Sequence, residues 1–281
     1  MWCYQNGTYE VLIEDDGTKH RFGDVFVPQY PESIDVKVTN ACDAACPFCH
    51  EDSHPDGASF RLRDAIVLFR ELPPGVELAI GGGNPLLVSR ELSDLSALLP
   101  HLICNLTVNA RHLPDFPDYL RPTAIGISYV PELHDEIRSF MEKRDNCVVH
   151  LIAGVHSLDD MERCLDFPRL LVMGYKKKGR GLAHYSKDVE FRLREWEMCI
   201  GKYVSRTTIA FDNLALEQLD VRRFFSAENW GEMYMGADGQ YSMYIDLVQY
   251  QFGPSSTSPI RIPIQGTVEE MFGAARAMGA R

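Results

Sequence analysis

The chain has 281 residues, 45% of them hydrophobic and 24% charged, the profile of an ordinary globular protein large enough for one substantial domain with appendages. With 40 acidic against 28 basic residues the net charge is -12, which argues against a sequence-independent grip on nucleic acid. No apolar run reaches the roughly 20 residues that cross a bilayer, residues 1–5 carry no basic-then-apolar leader, and eight cysteines with three in one tight group read as metal chemistry in a reducing compartment, the cytoplasm.

The first 30 residues read as a β-hairpin extension. Asn6-Gly7 and Asp15-Asp16-Gly17 are turn signals around the runs Tyr9–Ile13 and Lys19–Phe22, and Pro28 and Pro31 close the section. A strand–helix alternation follows. Strands are predicted at 34–38, 76–80, 103–108, 124–128, 147–153 and 170–173. Helices are predicted at 62–72, 89–99, 115–120 and 132–143, after a capping box of Ser157 and Asp160, and at 188–204. Six short apolar strands alternating with helices imply a parallel sheet covered by helices. Repeated right-handed crossovers would curl it towards a barrel, although the pattern alone fits an open doubly wound sheet equally. The remainder changes character: a strand at 207–211, a helix at 214–225, a β-hairpin over 232–250 turning at Gly236-Ala237-Asp238-Gly239, a polar loop at 255–258 and a terminal helix at 268–278.

Cys42, Cys46 and Cys49 stand in Asn40-Ala41-Cys42-Asp43-Ala44-Ala45-Cys46-Pro47-Phe48-Cys49, a C-x3-C-x2-C run directly after the first strand of the series. Iron–sulfur clusters are held by Cys thiolates, usually four, so three ligands leave one iron open. The competing reading is a zinc-binding interaction module, with His50 as fourth ligand. Zinc knuckles normally lie far apart in sequence, and the adjacent Cys49 and His50 are badly placed to reach one tetrahedral ion together. The other five cysteines, Cys3, Cys104, Cys147, Cys164 and Cys199, are scattered and read as buried thiols.

The run resembles the cluster loop of the radical S-adenosylmethionine (radical SAM) superfamily, including the aromatic Phe48 before the third cysteine, and the likeness extends over roughly residues 33–181. It implies a partial (βα)6 TIM-like barrel at 31–204, with the N-terminal hairpin at 1–30 and a C-terminal α+β cap at 205–281 that closes the substrate side. It implies that Cys42, Cys46 and Cys49 hold a single [4Fe–4S] cluster whose open iron chelates SAM. Gly81-Gly82-Gly83-Asn84-Pro85 resembles the family's Gly-Gly-Glu-Pro segment, which binds the SAM amino group, but with Asn84 where Glu is usual. By the same resemblance Ile152 and Gly154 would touch adenine, Met173, Gly174 and Tyr175 would offer backbone groups to its edge, and Ser128 at the end of the fourth strand would contact ribose or carboxylate; Asn109, ending the third strand, is a candidate to hold a ligand hydroxyl, and for both a simple turn role stands as the alternative. Lys176-Lys177-Lys178-Gly179-Arg180 reads either as a solvated loop or as a local anion site. In the tail, Asp212, Tyr244 and Asp246 are candidates for catalysis or substrate orientation.

The implied activity is reductive cleavage of SAM to a 5′-deoxyadenosyl radical that takes hydrogen from substrate, with oxygen sensitivity and an external reductant such as flavodoxin or ferredoxin. The substrate is left open among a nucleotide or modified nucleobase, a small anionic metabolite and a peptide. Asn84 also raises the alternative of an iron–sulfur protein without SAM turnover.

Overall fold

A computed structural model describes residues 1–14 and 17–279, so of the turn Asp15-Asp16-Gly17 only the glycine lies within the described residues. In chain order the strands are β1 (Trp2–Asn6), β2 (Tyr9–Ile13), β3 (Lys19–Phe22), β4 (Ser33–Thr39), β5 (Glu77–Gly82), β6 (Ile103–Asn109), β7 (Ala124–Ser128), β8 (Cys147–Ile152), β9 (Arg169–Met173), β10 (Thr208–Phe211), β11 (Ser242–Asp246), β12 (Gln251–Gly253) and β13 (Ile262–Pro263). β4 to β10 run parallel, each paired with the next, and β11 adds parallel to the other edge of β4. β12 and β13 complete that side antiparallel. No pairing joins β10 to β13 among the described residues, so the curled sheet is a partial TIM-like barrel with eight parallel strands.

Along these strands burial alternates. Ile34, Val36, Leu78, Leu106, Ile127 and Leu151 are buried in one core with helix residues such as Phe69, Leu95 and Trp196. The intervening positions are polar or small: Asp35, Lys37, Ala79, Asn105, Thr107, Gly126, Ser128 and His150. A TIM barrel normally fills its interior with layers of branched apolar side chains. Here that face is hollowed by small residues and lined with polar ones.

β1, β2 and β3 form a separate antiparallel sheet rather than one hairpin, because Trp2–Asn6 joins as a third strand. It seats against the N-terminal ends of the barrel strands. Lys19 pairs with Glu77 at 3.0 Å, Arg21 Nε and Nη2 donate to Glu32 at 2.8 and 3.0 Å, and the Tyr9 hydroxyl donates to Glu32 at 2.6 Å.

Three predicted elements are corrected. The helix at 115–120 is absent; a 3-10 turn at Ala110–Asp115 stands earlier, and Pro117 disfavours helical geometry in the residue before it. The helix at 214–225 is broken at Asp220, whose φ of 45° is left-handed, into a helix at Asn213–Gln218 and a 3-10 turn at Val221–Phe224. The hairpin over 232–250 does not turn at 236–239. Residues 232–233 end a helix at Ala227–Met233, and β11 pairs with β4, its antiparallel partner being β12 across 247–250. The free edge of β4 captured a strand whose apolar residues, Met243 and Ile245, extend the core. The Ser157–Asp160 capping box is present in full. Residues after 205 supply both edges of the barrel sheet, and helix Val268–Gly279 packs Met271, Phe272 and Ala275 into the core. No described helix is long and apolar enough to cross a membrane.

Candidate active site

The cysteine loop leaves β4 at its C-terminal end and returns onto it. Asn40 N–H donates to Ala58 at 2.7 Å, Cys42 N–H to His54 at 3.0 Å and Phe60 N–H to Val38 at 2.8 Å. Inside the loop Ala45 and Asp52 hold φ near +50°, an uncommon conformation for non-glycine residues that marks locally imposed backbone. Arg180 clamps the loop from outside: Nε donates to the Cys46 carbonyl at 3.0 Å, and Nη1 to the Ser53 carbonyl at 2.8 Å and to Asp52 at 3.0 Å. The Asn109 amide points at the Cys46 sulfur, 3.7 Å away.

All eight cysteines are free thiols. Burial raises the Cys42 and Cys46 thiols above their ordinary value, repulsion from neighbouring thiols adds to it, and Arg180 opposes it. Among the described residues, the group of candidate ligands whose atoms all lie within 4.8 Å of one another is Cys42, Asp43 and His112. The three thiols do not meet that limit, so at least one pair stands farther apart. His50 does not join the thiols as a fourth ligand, because its ring faces Glu51 at 3.4 Å.

The glycine segment lies directly beside this loop. Gly83 and Asn84 N–H donate to the carbonyls of Thr39 and Ala41, both at 2.7 Å. A side chain on Gly83 would stand 2.2 Å from the Ala41 carbonyl oxygen, and Gly82 combines a φ of 120° with a similar approach to Thr39, so both positions require glycine. A Cβ at Gly81 would meet nothing. Asn84 is buried, and its carbonyl oxygen accepts from Leu86 N–H at 3.1 Å, capping the 3-10 turn begun by Pro85. That acceptor is already engaged.

A narrow cavity of about 50 Å³ brings together Phe48, His50, Ile152, Val155, Met173, Gly174, Tyr175 and Lys176. Ile152 and Met173 are register partners on β8 and β9. The backbone groups expected to meet an adenine edge are occupied: Gly174 N–H donates to Asp212 at 2.9 Å, Tyr175 N–H donates to Gln218 at 2.8 Å, and the Tyr175 carbonyl accepts from Gln218 at 3.0 Å. Gly154 turns the chain with φ of 84° and backs onto Val189 and Leu193. Ser128 faces the lumen in register with Asn109 and His150.

The tail candidates fall into two places. Asp246 pairs with Lys37 at 3.5 Å, and Lys37 pairs with Glu51 at 2.7 Å. The Tyr244 hydroxyl donates to Glu51 at 3.4 Å, with the Arg261 guanidinium over its ring at 4.7 Å. Burial, with Glu51 and Asp246 nearby, pushes that hydroxyl far above the usual tyrosine range. Although burial alone would raise Glu51, His50 and Lys37 hold it well below the usual carboxylate range. Asp212 lies apart, capping helix Asn213–Gln218 through Ala215 N–H at 2.7 Å while accepting from Gly174. The basic loop is engaged rather than solvated: Lys176 donates to the Ser256 hydroxyl at 3.0 Å and Lys178 to the Ser256 carbonyl at 3.2 Å. Sequence reasoning missed Asp35, Lys37, Glu51, His150 and the clamping role of Arg180. For Asp35 and Lys37 a signal existed, since two ionisable residues alternating on the first strand of a parallel series have only the lumen to face.

No protein-family model matches this chain, and no curated protein matches it in sequence. Solved structures do match. One is anSMEcpe, an anaerobic sulfatase-maturating radical SAM enzyme, with bound AdoMet: TM-score 0.55 at 13% identity, covering 87% of this chain and 79% of that one. Another is the same enzyme with AdoMet and a Kp18Cys peptide: TM-score 0.55 at 12% identity, covering 87% and 80%. The fold of this chain is that of the radical SAM enzymes.

Proposed function

We propose that this chain is a radical SAM enzyme in which Cys42, Cys46 and Cys49 hold one [4Fe–4S] cluster open to SAM. The observation that carries the reading is position: a three-thiol loop at the C-terminal end of β4, beside the glycine end of β5, in a fold solved elsewhere with AdoMet bound. When bound, that group supplies electron-driven homolysis of SAM and abstraction of a hydrogen atom from substrate. The chain's own residues do the positioning. Arg180 and Asn109 fix Cys46, and Phe48, Ile152 and Met173 wall an apolar slot for adenine. Asn84, with its acceptor engaged, leaves the SAM amino group to nearby backbone carbonyls. Lys37, Glu51, Asp246 and Tyr244 order the mouth, and Lys176, Lys178 and Arg261 hold the 255–258 loop across it against water. Residues 205–281 act as the substrate-side closure, and a flavodoxin- or ferredoxin-type protein in the cytoplasm is the electron donor.

Anoxic reconstitution tests this. About four irons with matching sulfide per chain are expected, together with 5′-deoxyadenosine on adding dithionite and SAM, and Cys46→Ala should abolish both. One observation favours a mononuclear reading, the close group of Cys42, Asp43 and His112. Stoichiometric zinc in place of iron and sulfide would establish it and end the proposal.

A further inference from the structure

The barrel interior holds charge that the cofactor reading does not use. β4 is paired on both edges, by β11 and β5, so its side chains face either the helices or the lumen. Asp35 faces the lumen. It is exposed to that space and makes no hydrogen bond or ion pair among the described residues. Asp212 and Asp238 act on it electrostatically, and the ammonium common to Asp35 and Asp212 is that of Lys176, which already donates to Ser256. Glu77 also faces Asp35 but is paired with Lys19. Asp35 and Asp212 thus share one ammonium, while Asp238 accepts from the Asn213 amide at 2.7 Å. Enclosure by protein, then repulsion from Asp238, Glu77 and Asp212, push the Asp35 carboxyl up to about 6 against the pull of Lys176. Such a walled space is stabilised by an incoming cation.

Two further observations point to a ligand. A cavity of about 540 Å³ opens beside helices Asn213–Gln218 and Ala227–Met233. Asp238 lines it, so this residue borders the cavity and acts on the chamber carboxylates together. Its wall carries Trp230 and Tyr234, stacked at 4.9 Å and 19°; the Arg222 guanidinium already lies over Trp230 at 5.2 Å, so the pair serves as an apolar wall and the carboxylates Asp238, Glu217 and Asp220 in the same lining supply the charge. The volume falls within the roughly 300–1,000 Å³ of small-molecule sites. Across the barrel, on β8, His150 is 9% exposed and its Nδ1 is buried without a partner. Its ring occupies the space above Gly126, where a Cβ would stand 2.2 Å from Cε1. A buried polar atom left unpaired is costly, and a ligand or water in the lumen is what would satisfy it.

We infer that the chamber and its adjoining cavity bind an organic cation, a substrate bearing an amine or guanidinium group, with Asp35 as counter-charge and the Trp230–Tyr234 pair against its apolar part. Only the word substrate rests on the radical SAM reading; the site is built from this chain's own residues. The narrow Phe48–Ile152–Met173 slot shares none of the residues that line the larger cavity, so the cation and SAM are assigned different places.

The test is a titration of the full chain, followed by NMR or calorimetry, with phenethylamine and with its uncharged analogue 2-phenylethanol, in the absence and presence of SAM. The amine is expected to bind at least about tenfold more tightly than the alcohol, and Asp35→Asn and Asp238→Asn are each expected to weaken it by about tenfold. SAM should leave amine binding in place. Thermal melts confirm that the variants fold, and Asp35→Asn is isosteric at a position with no bonds to lose. Equal binding of the two probes, no binding of the amine, indifference to both substitutions, or displacement of the amine by SAM would each overturn the inference. Iron and sulfide content in the same preparations reports separately on the cofactor reading, so the two can fail independently.

Discussion

On β4, Ile34, Val36 and Val38 point to the helices and are at most 3% exposed, whereas Asp35 and Lys37 point into the lumen, the first without a hydrogen-bond or ion-pair partner among the described residues and the second held between Glu51 and Asp246. The same contrast runs around the barrel: Ile127 against Gly126 and Ser128 on β7, Leu151 against His150 on β8. One side of each strand is packed for stability. The other is left hollow and charged, an arrangement that stability alone does not reward, since buried polar groups cost free energy unless they are paired.

Substitutions on the two sides should therefore behave differently. The largest effect is expected at Lys37→Met, which removes the ammonium between Glu51 and Asp246, leaves Glu51 to His50 and Tyr244 and Asp246 to the Val248 and Gln249 N–H groups, and should cost about 3 kcal/mol in urea unfolding at neutral pH. A loss below about 1 kcal/mol would show the network to be solvated and the lumen side to be ordinary surface. Gly126→Ala comes next, because the added methyl meets the His150 ring, and about 1–3 kcal/mol is expected. His150→Ala in the same background should recover much of that loss, and strict additivity in the double-mutant cycle would separate the two residues. Ile127→Val, on the packed side, removes one buried methylene for about 0.5–1.5 kcal/mol and should leave ligand binding unchanged. The smallest effect, and of opposite sign, belongs to Asp35→Asn. The folded carboxyl sits near 6, above its ordinary 3.8, so the contribution of this group to stability is full below 3.8 and is lost as pH rises through about 6. The asparagine variant should lack this fall and be slightly more stable at pH 7. A pH–stability profile that overlays the wild type would refute the placement of Asp35.

Much of this was legible in the residue order. The six strands of the βα series, the Ser157 cap and the thiol loop at the end of the first strand all come from local signals: periodicity, capping chemistry and spacing. What was not legible depends on partners distant along the chain. β11 read as half of a hairpin because its alternation suits any strand, and only the vacant edge of β4, some 200 residues earlier, makes it a barrel strand. Arg180 read as part of a basic run, yet its guanidinium reaches the Cys46 carbonyl across 134 positions. The adenine-edge groups at Gly174 and Tyr175 read as available until Asp212 and Gln218, from the following βα unit, were seen to hold them. Composition could not distinguish a polar residue facing solvent from one facing a lumen.

Gly81 ends with a practical use. A methyl built there would encounter no atom within 4 Å, and its backbone lies outside the left-handed region. Replacing it stepwise by alanine, valine and phenylalanine would narrow the bore beside the thiol loop. The series is a caliper: the substitution at which a guest ceases to enter measures the width that guest needs.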